Sequence, residues 1–149
     1  MKMISRFGLG LLLSSSVLSA HAEDVKIGMI TTLSGGGSHL GVDVRDGFML
    51  ALEQSGRDDV EVLIQDDANR PDLARSLANE FMQRDEVDIM TGIIWSNLAM
   101  AVVPSVTRQG TFYLSPNAGP SDLAGRMCHE NYFNVAYQND NLHGAMGAY

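Results

Sequence analysis

Residues 25–65 read VKIGMITTLSGGGSHLGVDVRDGFMLALEQSGRDDVEVLIQ, and the fold class turns on this stretch. Val25 to Leu33 is a largely apolar run, the pattern of a central strand in a parallel sheet. A loop follows, Ser34 to Gly41, with glycine at 35, 36 and 37. Val44, Phe48 and Leu52 then recur at every fourth position and form one stripe of an amphipathic helix. Gly56 ends that helix, and Val60 to Gln65 is strand-like again. Strand, loop, helix and strand in this order form the repeating unit of an α/β protein, a parallel sheet flanked by helices.

The unit recurs downstream. Asp66 to Arg70 is a loop, and Pro71 can open a helix because the N–H it lacks has no partner at that position. Leu73, Leu77 and Phe81 predict the buried stripe of this second helix. Val87 to Trp95 reads as the third strand. Ser96 is placed as N-cap of a third helix that ends near Gly110, with a kink or break at Pro104. Thr111 to Leu114 reads as the fourth strand, Ser115 to Gly125 as a polar loop, and Tyr132 to Ala136 as the fifth strand. Tyr137 to Leu142 is a polar connector, and a helix is expected from His143. In such sheets ligands lie beyond the carboxyl ends of the strands. The loops beginning at Ser34, Asp66, Ser96, Ser115 and Tyr137 are therefore the place to seek function.

The N-terminal stretch MKMISRFGLGLLLSSSVLSAHA, residues 1–22, has the layout of an export signal. Lys2 and Arg6 give a positive start, Phe7 to Leu18 a short apolar core, and Ala20-His21-Ala22 a small-x-small cleavage site. Cleavage is expected after Ala22. The apolar run is too short and serine-rich for a membrane span of about 20 residues, so no membrane insertion is expected once the signal is removed. The remaining chain holds eight basic and eighteen acidic residues, a net charge of −10. That balance argues against nucleic acid or an anionic membrane as partner. Cys128 is the single cysteine, which in an exported protein is either a free thiol or a residue lacking its partner.

Each loop admits a plain structural role beside a functional one. Ser34 to Gly41 could cradle an anion on backbone N–H groups or be a flexible turn. It is no phosphate-binding P-loop, since no Gly-Lys-Ser/Thr follows, and it lacks G-x-G-x-x-G. Ser96-Asn97 suits a carboxylate ligand at a helix N-terminus, or is an ordinary cap. Ser115 to Ser121 lets a ligand approach the backbone closely, or is a tight turn. Asp66, Asp67, Asn69 and Asp72 lack the spacing of a calcium loop and read as capping residues. The four histidines show no metal-ligand spacing, no catalytic constellation with a local motif is present, and no cofactor is expected.

The segments Lys26-Ile27-Gly28, Leu33-Ser34-Gly35, Leu40-Gly41, Arg45-Asp46-Gly47, Asp66-Asp67 with Pro71, Thr91 to Asn97 and Ser115 to Pro120, in this order, resemble the periplasmic substrate-binding proteins of ABC transporters. The likeness is to the branched-chain amino acid (Leu/Ile/Val) binding family with the type I fold, and it covers nearly all of the chain after the signal. The stretches Gly92 to Asn97, Asn117 to Ser121, Phe133-Asn134-Val135 and Gln138 to Asn141 are similar to the branch that binds aromatic or other small carboxylates. The resemblance implies a two-lobed clamp that closes on a small-molecule carboxylate and docks on an ABC permease in the inner membrane. It implies a periplasmic, non-enzymatic protein. A ligand-sensing receptor domain of the same fold, coupled to a regulator, is the alternative.

Carried over by motif, the ligand residues would be Ser34, Ser38, Leu40, Trp95, Ser96, Asn97, Asn117, Ala118, Gly119 and Tyr137. Residues 23–136 would form the first lobe, and residues 137–149 the hinge and start of a second. Two departures bear on the ligand. Amino-acid binders usually carry a hydroxyl residue where Gly119 stands, and often an aromatic one where Leu40 stands, which favours a carboxylate without an amine. Members of the family run to well over twice 149 residues, so an N-terminal fragment is expected, with the second lobe and the segments that finish the first one absent.

Overall fold

A computed structural model describes residues 24–149; the expected export signal at residues 1–22 and the expected cleavage site lie outside the described residues. Five parallel strands form one sheet: β1 (Val25–Thr31), β2 (Val60–Asp66), β3 (Ile89–Thr91), β4 (Phe112–Ser115) and β5 (Tyr132–Asn134). Their spatial order is β2-β1-β3-β4-β5. The helices are α1 (Ser38–Ser55), α2 (Pro71–Glu80), α3 (Ser96–Arg108), the single turn α4 (Ser121–Ala124) and α5 (Asn139–Ala148). The expected α/β class with a helix-flanked parallel sheet is the one observed.

Register separates the two faces of the sheet. Gly28 pairs with Leu63 and Met90, and Met90 with Tyr113. These positions, with Ile30, face α2 and α3, where Phe81, Ala74, Ala78, Leu98, Val102 and Val106 complete a dry core. Phe81 lies directly against Gly28, where a Cβ would meet its ring. Residues one step along each strand face the other way. There Thr31 Oγ1 lies beside Gly41 of α1, while Phe112 and Phe133, 46% and 49% exposed, meet at 6.3 Å between ring centroids. Apolar burial at about 25 cal/mol per Å² makes the α2/α3 side the main source of stability.

Helix boundaries follow local chemistry. Gly56, in the left-handed region at φ 66°, closes α1 by donating its N–H to the Glu53 carbonyl. Pro71 opens α2, as its missing N–H predicts. Its buried stripe is Ala74, Ala78 and Phe81, with Leu73 and Leu77 half-buried, because small alanines let α2 sit close to the sheet. The helix then widens into a π-helical turn, Phe81–Asp85.

The first and fifth strands end two residues before their expected limits, at Thr31 and Asn134, and larger shifts occur elsewhere. The third strand covers three residues, not nine, because the chain turns at Gly92, φ 106°, and leaves the ladder. The third helix runs through Pro104 without a break. A helical turn interrupts the polar loop after β4. Finally, α5 begins at Asn139 rather than His143, since Gln138 already takes extended geometry and Asn139 is anchored to the loop after β4.

Candidate functional site

The strand order reverses at β1, which lies between β2 and β3. At such a switch point the loops on either side part and leave a crevice at the carboxyl edge of the sheet. The candidate ligand residues follow four of the five strands, β1, β3, β4 and β5.

The β1–α1 loop is built on two aspartates at the end of β2. One carboxylate oxygen of Asp66 accepts the N–H groups of Leu33 and Ala68, both at 2.8 Å. Burial would raise the Asp66 pKa, but hydrogen bonds from the Ser34 hydroxyl and the Leu33, Ala68 and Ser34 N–H groups hold it below the usual value. Ser34 is therefore tied to the loop's own support. Ser38 and Leu40 sit in the first turn of α1, both half-buried. The helix starts earlier than the glycine-rich sequence suggested, through bonds from Ser38 N–H to Gly35 O and Leu40 N–H to Gly37 O.

Trp95 and Ser96 occupy the turn from β3 into α3. The residue at the cap position is Trp95, in extended geometry and making no side-chain cap, so Ser96 is the first helical residue and not the N-cap. This corrects the sequence assignment, and it leaves the first N–H groups of α3 without side-chain partners. The Ser96 hydroxyl oxygen accepts the Asn139 side-chain amide at 3.1 Å. Accepting there leaves its own proton free to donate elsewhere. Asn97, next along the helix, is exposed.

The β4–α4 loop supplies Asn117, Ala118 and Gly119. Asn117 donates through Nδ2 to the Ile94 carbonyl at 2.9 Å and ties this loop to the approach of α3. Its Oδ1 and second amide proton remain available. Ala118 is buried, and its carbonyl accepts the Ser115 hydroxyl at 2.5 Å, so its backbone oxygen turns into the protein. Gly119 is closed over by the segment that follows β5. A Cβ at Gly119 would meet the Tyr137 carbonyl oxygen and the Asn134 amide. The Asn139 N–H donates to the Gly119 carbonyl at 2.8 Å. The backbone at Gly119 thus leaves no room for a side chain. Tyr137 is half-exposed, and its carbonyl accepts the Asn134 side-chain amide at 3.0 Å.

These contacts gather Trp95, Ser96, Asn117 and Gly119 along one edge. Asn139 was not among the sequence candidates, although it touches two of them. A recess of about 550 Å³ lies at the opposite, amino end of the strands, lined by Asp24, Lys26, Asp88 and Phe112 among others.

A family profile described as periplasmic binding protein matches residues 24–149. The chain belongs to the periplasmic binding protein family. Solved structures agree. An ABC-transporter solute-binding protein from R. palustris, in complex with benzoate, is 27% identical with a TM-score of 0.79. A substrate-binding protein from Sphaerobacter thermophilus is 29% identical with a TM-score of 0.74. A leucine-binding protein from Thermotoga maritima, at 20% identity and a TM-score of 0.78, shares the fold. Each comparison covers 83% of this periplasmic binding protein and 35%, 37% and 36% of the respective relative. The chain therefore spans about a third of the length of these relatives. A comparison with curated protein sequences found no match. Among the described residues no helix is long and apolar enough to cross a membrane.

Proposed function

We propose that the chain supplies the first wall of an extracytoplasmic clamp that captures a small organic carboxylate and hands it to an ABC permease. The action is binding by desolvation and hydrogen bonding, with no bond made or broken. The observation that carries this reading is the uncapped N-terminus of α3 at the switch point. Its unpaired N–H groups and partial positive charge favour an anion. The Ser96 hydroxyl proton, not used toward Asn139, and the spare capacity of Asn117 stand beside it. Benzoate in the R. palustris relative supports a carboxylate, and the lack of a hydroxyl at position 119 favours one without an amine group. Residues 23–136 act as the first lobe, residues 137–149 as the crossing toward a second, and the signal is cleaved after Ala22 so that the protein works in the periplasm.

The test is a benzoate titration of the parent and of Ser96→Ala. Loss of the hydroxyl should weaken binding by about 1–3 kcal/mol. Equal affinities would remove Ser96 from the site.

A further inference from the structure

The Trp95 indole is fixed from behind by a buried polar relay. Its Nε1–H donates to Thr32 Oγ1 at 3.0 Å, and the Thr32 hydroxyl donates to Asp67 Oδ1 at 2.6 Å. The direction of both bonds is forced. An indole N–H can only donate, so Thr32 must accept it and send its own proton onward to an acceptor. Asp67 Oδ1 is that acceptor, held in place by the Asn69 N–H at 2.8 Å, while the Asp67 N–H donates to the Thr31 carbonyl at 3.1 Å. Thr32 and Asp67 are both fully buried. The far side of the indole rests on Gly37, where a Cβ would meet Cζ2 of the ring. One side chain thus spans the loops after β1 and β3, and its anchor is the loop after β2.

We propose that Thr32 and Asp67 are positioning residues that hold the Trp95 ring as a preformed wall of the ligand face. This rests on the ligand reading above and adds to it two residues that never meet the ligand. A buried polar chain is costly unless each donor finds its acceptor. Here the chain satisfies the indole N–H and the threonine hydroxyl at once. Asp67 Oδ2 has no partner, and burial pushes the Asp67 carboxyl up. A neutral acid still offers Oδ1 to Thr32, so the relay survives in either protonation state. Valine at position 32 matches threonine in shape but carries no hydroxyl, so it keeps the packing volume and removes both bonds of the relay.

Trp95 is the only tryptophan in the 149-residue chain, so intrinsic fluorescence reports on this ring alone. The experiment compares the parent, Thr32→Val and Thr32→Ser by emission maximum, acrylamide quenching and anisotropy, followed by titration with benzoate. Thr32→Val should shift emission to longer wavelength, raise quenching and lower anisotropy. Benzoate binding should weaken about fivefold, the worth of one net hydrogen bond. Thr32→Ser keeps the hydroxyl and should restore all of these. A Thr32→Val spectrum equal to the parent's, an unchanged benzoate affinity, or a failure of serine to rescue overturns the proposal. If Thr32→Val does not fold, Asp67→Asn and Asp67→Leu replace it. Asparagine keeps an acceptor and should keep the parent spectrum, whereas leucine should lose it; equal spectra overturn the relay. Should the parent not bind benzoate, the carboxylate reading fails on its own, and the fluorescence comparison still decides the relay.

Discussion

Replacing Gly119 by alanine tests how the site is tied to the segment that crosses it. The new methyl group would occupy the space of the Tyr137 carbonyl oxygen and the Asn134 amide, so one side must move. The loop after β4 is buried and cross-tied by Ser115, Asn117 and Tyr132. Residues 140–149 carry no buried side chain, so the crossing segment gives way. Overpacking of this kind costs about 1–3 kcal/mol. The bonds at risk, from Asn139 N–H to Gly119 O and from the Asn139 amide to Ser96 Oγ, are worth about 0.5–1.5 kcal/mol each. A helix without a buried side chain releases most of that strain by detaching, so the cost is local. Native-state hydrogen exchange should show the Asn139 amide losing its protection while the amides of β1 and β3 keep theirs. The denaturant midpoint of the lobe should barely move. Unchanged protection at Asn139, or a global loss of stability as large as the strain, would refute the reasoning.

Phe81 is 1% exposed and packed on Gly28, so Phe81→Ala should cost about 3–5 kcal/mol in urea denaturation; a loss below about 1 kcal/mol would mean that the α2 side collapses to fill the gap. The two neighbouring aspartates should give opposite pH dependence. Burial raises the Asp67 pKa, so the stability it contributes is fully present below its unfolded value of about 3.9 and is lost as pH rises through the higher folded value. For Asp66 burial is outweighed by its hydrogen bonds and the pKa is lowered, so its contribution is present above about pH 3.9 and is lost as pH falls through the folded value. Asp67→Asn should therefore flatten the decline in stability above about pH 4, measured as urea midpoints across pH. Parallel curves for parent and variant would contradict the assignment.

Much of the architecture was legible because each element carried its own local signal. The stripe Val44, Phe48 and Leu52, the stop at Gly56 and the opening at Pro71 all depend on neighbours within a few residues. The third strand was misjudged because Ile93, Ile94 and Trp95 continue an apolar run after the backbone has turned at Gly92. Those side chains are buried or half-buried outside the ladder, and hydrophobicity alone cannot separate the two situations. Ser96 was taken as a cap because serine commonly serves there. Its hydroxyl is instead matched to Asn139, 43 residues away. Thr32 was hidden for the same reason. In sequence it extends a strand, and only the packing of three loops brings it to Trp95 and Asp67. The capping role expected of Asp66 and Asp67 is present, in the bonds from Leu33, Ala68 and Asn69, but no local pattern pointed to the indole.

The central claim is that the carboxyl edge of this sheet is a ligand wall. Titrating the isotopically labelled 149-residue protein with benzoate, and following every backbone amide by NMR, tests it most directly. These 149 residues span about a third of the length of the relatives, so binding by them alone should be weak, about millimolar or weaker. The amides that shift should be those of residues 34–37, 95–98 and 117–119, and Ser96→Ala should diminish the response. Shifts clustered at the opposite edge around Lys26 and Asp88, or binding of Ser96→Ala equal to the parent's, would contradict the account.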